Sequence, residues 1–175
     1  MKYLIYSVVT IFLVGITAGG FQHFSILHAV PQLVLLLVIL VAAERKNLDY
    51  LFVAIVGGVL LDFTTSIAFG SYTLSFLVIG MLAKFLFEDM LLARSPLKHI
   101  PWVVTSAIFV QHLWIWLYNG TLIRFHSSYI PLRLSEAMLI AIGAIIYTLL
   151  LLFPAYWIIE KLNDYIEHLD NRKKY

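Results

Sequence analysis

Hydrophobic residues in this chain run in long blocks, broken by short clusters of charge, glycine and proline. Between Tyr3 and Ala43 no Asp, Glu, Lys or Arg occurs. That stretch is twice the ~20 apolar residues an α-helix needs to cross a ~30 Å hydrocarbon core, so two spans must fit in it. Cutting the whole chain at its polar and Gly/Pro punctuation predicts six helices, over Tyr3–Ala18, Val30–Ala43, Leu48–Ser66, Ser71–Phe87, Ile100–Tyr118 and Ala137–Ile159. The second is short unless it begins near Phe24, which places Pro31 in its first turns, where a missing N–H is tolerated. The expected architecture is an all-α integral membrane bundle of six transmembrane helices. No linker or repeat divides the chain, so residues 1–175 form one domain.

Charge orients the bundle. With the amino terminus in the cytoplasm, the inner segments hold Lys2, Arg45, Lys46, Lys84, Arg94, Lys98, Lys161, Arg172, Lys173 and Lys174, ten of the twelve basic residues. The outer loops keep Arg124 and Arg133. The positive-inside rule therefore puts both ends in the cytoplasm. Lys2, the apolar run after it and Ala18-Gly19-Gly20 loosely follow the layout of a secretory signal, but the run is longer than a typical signal core and more spans follow, so a retained first helix is expected. Glu88 to Pro101 reads as a bent elbow on the inner headgroups, and Asn119 to Glu136 as an aromatic stretch along the outer interface. Residues 160–175 read as an amphipathic cytoplasmic tail, with Leu162, Ile166 and Leu169 on one face.

Composition agrees: 62% of residues are hydrophobic and 13% charged, against about a quarter charged in soluble proteins. The net charge of +2 comes from loops and forms no contiguous basic face, so nucleic acid is not an expected partner. Cysteine is absent, which removes disulfides, thiolate nucleophiles and sulfur metal sites. There is no His-Glu-x-x-His, no Gly-x-Ser-x-Gly and no phosphate-cradling Gly-rich loop ending in Lys-Ser/Thr. No two of the six histidines have the i, i+4 spacing of helical metal ligands. Asn119-Gly120-Thr121 matches a glycosylation sequon, and Asn-Gly also serves as an ordinary turn. The expectation is a protein that is not an enzyme and needs no cofactor or metal.

Asp62 is the most unusual position, since it ends the apolar run Leu51 to Leu61. About fourteen residues from Leu48, or ~21 Å of helix, place it in the outer half of the membrane. An aspartate at the bilayer centre costs about 2.5–3.5 kcal/mol on insertion scales, so it should face the bundle or a polar cavity and either have a partner or be neutral. His112 is the expected companion, with Gln111, Gln32 and Arg133 as alternatives. A hydrogen bond joining two helices is the expected use of such a pair, ahead of a proton or ion relay. Gly15 with Gly19, and Ala137 with Ala141, have the four-residue spacing that permits close helix approach.

From Ala29 to Leu92 the chain resembles the rod shape-determining MreD family. The resemblance rests on Pro31-Gln32-Leu33, a charged turn at Glu44 to Asp49, Gly58-Val59-Leu60-Leu61-Asp62, Gly70 and Leu74. Members often carry an acid beside the proline, where this chain has Gln32. The resemblance implies a multi-pass protein of the bacterial inner membrane. It would act as a non-catalytic scaffold of the cell-elongation machinery, regulating cell shape and peptidoglycan synthesis by binding the single-span protein MreC. MreB, RodA and a penicillin-binding transpeptidase would complete the complex. The family is also similar in fold to the S components of energy-coupling-factor transporters. That likeness creates an alternative, a vitamin-binding subunit whose outward pocket would use Trp114, Trp116, Tyr118, His23 and Gln22. On the scaffold reading, Gly58 and Gly70 hold the backbone close around Asp62, and that region shapes the surface offered to MreC.

Overall fold

A computed structural model describes residues 2–20, 29–43, 48–65, 69–89, 96–123 and 134–171. They form an all-α bundle of six α-helices: α1 (Lys2–Gly15), α2 (Leu33–Ala43), α3 (Asp49–Thr64), α4 (Ser71–Asp89), α5 (Pro96–Ile123) and α6 (Leu134–Asn171). A π-helical turn, Ile16–Gly20, prolongs α1. Three segments are long and apolar enough to cross a membrane: Ser71–Glu88, His99–Tyr118 and Leu134–Lys161. Tyr3–Gly19 and Leu33–Ala43 are shorter apolar helices. The outer surface is apolar too. On α6, Ile142, Ile146, Leu150, Phe153 and Trp157 recur at helical spacing and are all exposed, Phe153 at 83%. A continuous apolar stripe of that kind needs lipid or a partner to cover it, and these features together describe a multi-pass membrane protein.

The sequence Leu33-Val-Leu-Leu-Leu-Val-Ile-Leu-Val-Ala-Ala43 has no polar face, and a helix apolar all round must be surrounded. So it is: Val34 through Ala42 are all buried, and α1, α3, α4, α5 and α6 pack around α2. The helix begins at Leu33, later than either expected start, Phe24 or Val30. Residues 24–28 lie outside the described residues, and Ala29 to Gln32 are not helical. Pro31 is the physical reason, because its ring disfavours helical geometry in the residue before it. The proline therefore stands outside the first turn that the sequence assigned to it.

Elsewhere the helices outrun their predicted bounds. α5 starts at Pro96 and runs through Pro101 to Ile123, taking in part of the expected inner elbow and part of the outer stretch; residues 90–95 and 124–133 lie outside the described residues. α6 continues unbroken past Ile159 to Asn171, so the tail is helical. Toward the C-terminal end of α4, Lys84 is 7% exposed and bonds Glu88 one turn on at 2.9 Å.

Candidate functional site

α3 and α4 are antiparallel neighbours joined by a short turn, and Asp62 in the last turn of α3 is 4% exposed. Its carboxylate reaches across that turn to the head of α4. Oδ1 accepts the backbone N–H of Tyr72 at 2.9 Å, and Oδ2 accepts the Thr73 N–H at 3.2 Å and the Thr73 hydroxyl at 2.6 Å. The first N–H groups of any helix lack internal acceptors, and in an apolar surrounding each unmet one is costly. A carboxylate there satisfies them with charge-assisted bonds and complements the helix dipole. The cap thus comes from the preceding helix, ten and eleven residues back.

Two glycines make this reach geometrically possible. A Cβ on Gly58 would lie 2.5 Å from the Thr73 Cα, so only a residue without a side chain lets α3 approach the α4 backbone this closely. Gly70, immediately before α4, has φ +94°, a left-handed conformation that L side chains rarely adopt. Leu74 N–H then donates to the Gly70 carbonyl at 2.9 Å, closing the first turn. Gly57 and Gly80 do similar work deeper in the bundle. A Cβ on Gly57 would run into Val34 Cγ1, and one on Gly80 would lie 3.0 Å from Tyr50 Cδ2 and 3.1 Å from Val38 Cγ1.

His112 does not join Asp62. Its Nδ1 bonds the Ile108 carbonyl at 2.9 Å, within its own helix, while both Asp62 oxygens are held by α4. The near donors on α4 win because they belong to a helix start that needs an acceptor. The His112 ring instead lines a shallow apolar groove between α5 and α6, with Trp116, Ala137 and Ala141 around it. Ala137 and Ala141 are buried, consistent with close packing. Gly15 and Gly19 are not in such a contact: a Cβ on either would meet nothing within 4 Å. Both glycines are exposed.

Pro31 is buried, and the Gln32 backbone N–H donates to Thr148 Oγ1 of α6 at 3.0 Å, so this pair ties the entry of α2 to the last helix. Gln111, expected only as a substitute partner for Asp62, is fully buried with neither amide atom hydrogen-bonded. Its spacing from Val104, Ala107 and Ile108 marked it as inward-facing. Trp114 and Tyr118 stack on one another at 6.1 Å between ring centroids. His23, Gln22 and Arg133 lie outside the described residues. Among the described residues no group of three or more His, Asp or Glu side chains is placed to hold a metal ion. No protein-family model, curated protein or solved structure matches the chain.

Proposed function

We propose that this protein is a non-catalytic scaffold of the bacterial inner membrane, acting in the cell-elongation machinery by binding an MreC-like single-span protein. In this reading all six helices are immersed in lipid with both termini in the cytoplasm. MreB, RodA and a penicillin-binding transpeptidase belong to the same assembly. The observation that carries the reading is the use made of Asp62. An acid in the outer half of a membrane bundle is a functional candidate by default. Here both of its oxygens are engaged in fastening α3 to α4. The stretch that resembles MreD, Ala29 to Leu92, spans α2, α3 and α4, the helices brought together through Gly57, Gly58 and Gly80. Such a rigid, glycine-packed unit suits a protein that acts by being held.

Affinity purification from native membranes tests the proposal. Recovery of an MreC-like protein with other elongation components is the expected result. Recovery of transporter ATPase subunits would overturn it in favour of a vitamin-carrier role, and reporter tags at the two termini check the orientation.

A further inference from the structure

The groove between α5 and α6 sets a polar ring into an otherwise apolar outer surface. Phe109 and Leu113 of α5 and Leu134 and Met138 of α6 stand exposed along it, while Ala137 and Ala141, one turn apart, are buried between them. Small residues at these two positions leave a trough that larger ones would close. His112 lines the same trough, and its Nδ1 is committed to the Ile108 carbonyl at 2.9 Å. A carbonyl only accepts, so Nδ1 carries the hydrogen, and in a neutral imidazole Nε2 is then left as an acceptor. Among the described residues no donor meets it. An acceptor without a donor is costly in hydrocarbon, and lipid tails bring none. Whatever covers this groove must therefore supply a hydrogen.

Depth and shape narrow the choice of occupant. His112 lies six residues, about 9 Å, inside the span that ends at Tyr118. Lipid hydroxyls stay with the headgroups, outside the hydrocarbon core, whereas a side chain from a neighbouring membrane helix reaches this level. On both walls the lining residues recur at intervals of three and four over about two turns, the periodicity with which the ridges of one helix fill the grooves beside another. We infer that this groove receives the transmembrane helix of the single-span partner, which places a hydroxyl or indole donor on His112 Nε2 among apolar side chains. The inference rests on the function proposed above and names the surface that function uses. It moves that surface from the surroundings of Asp62 to α5 and α6. The glycine-packed unit then stands behind it, since α4 packs on α5 and α2 on both.

Site-directed photocrosslinking tests it, with the full-length chain co-expressed with the MreC-like protein of the same bacterium. Photoreactive benzoylphenylalanine is placed either at Met138, on the wall of the groove, or at Phe153, on the exposed stripe of α6. Light should join the partner to position 138 and leave it free of position 153. His112→Phe keeps a ring in place but loses the acceptor, and should lower the amount of partner retained on purification by about threefold, the usual weight of one hydrogen bond between membrane helices. Equal crosslinking from the two positions, or unchanged retention by His112→Phe, would overturn the inference and leave the proposed function standing. A crosslink from 138 to lipid, or to a second copy of this chain, would overturn it by naming another occupant. If the unmodified pair does not co-purify, the proposed function falls and the inference falls with it.

Discussion

Two helix heads stand level in this bundle and are treated in opposite ways. α4 begins under a carboxylate: Asp62 meets two backbone N–H groups and a hydroxyl, and Gly70 turns the chain into place. α2 begins with no acidic cap among the described residues, entered through Pro31 and tied to α6 where Gln32 N–H meets Thr148. Both heads share the same need, since first-turn N–H groups have no internal acceptor. The difference is what the chain can bring to them. α3 delivers an acid to α4 because the two form a tight hairpin. The head of α2 has the Thr148 hydroxyl of α6 beside it and no acid delivered to it among the described residues. A charge is tolerable in this core where a hairpin fixes it against donors at once; at the other head a threonine hydroxyl meets the Gln32 N–H.

Breaking the α4 head should have the largest effect. Gly58→Leu drives a side chain into the Thr73 backbone and should destabilise the bundle by about 3 kcal/mol or more, measured by reversible denaturation in detergent. Gly15→Leu, facing open space on α1, should leave the same measurement within about 0.5 kcal/mol. Equal losses would remove the argument for a close α3–α4 approach. Next comes Asp62→Ala, which strips the cap and leaves buried donors unmet, at about 2–4 kcal/mol; Asp62→Asn, keeping one acceptor, should lose less than half of that. Within the core of α5, Gln111→Leu should change stability by no more than about 1 kcal/mol, since an apolar replacement removes an unmet buried amide. A loss as large as that of Asp62→Ala would show that a buried polar group in this core contributes as much unpaired as paired, and would erase the contrast with Asp62. Smallest is His112→Phe, about 0.6 kcal/mol or less, because its one bond lies within its own helix. A larger loss would show that His112 joins helices after all.

The long spans were legible because length and hydropathy alone specify them: α4, α5 and α6 fall where the apolar blocks predict. The start of α2 was not, since no Asp, Glu, Lys or Arg between Phe24 and Leu33 marks where backbone geometry changes. Pro31 marked the place, but proline is welcome both just inside a helix and just before one. Asp62 stood out as a buried acid in need of a partner, and its partner was sought among side chains. The stronger claim came from backbone N–H groups, which every residue carries and no pattern of residue types displays. Glycine spacing misled in a similar way. Gly15 and Gly19 have the recognised interval yet face outward, whereas the adjacent Gly57 and Gly58 contact two different helices. Spacing reports that a face is small; which face meets a neighbour depends on how the helices are rotated in the bundle.

The shortness of α2 bears on how the protein is made. Eleven residues rise about 16 Å, roughly half of a ~30 Å hydrocarbon core, so this segment is a poor independent passenger through the insertion machinery. Its connection to α3 is brief, and Gly57 already accommodates Val34. The two segments should therefore be delivered to the bilayer as one hairpin, with the remaining helices closing around them, and a ribosome stalled before α3 emerges would hold a chain whose centre has yet to leave the aqueous side.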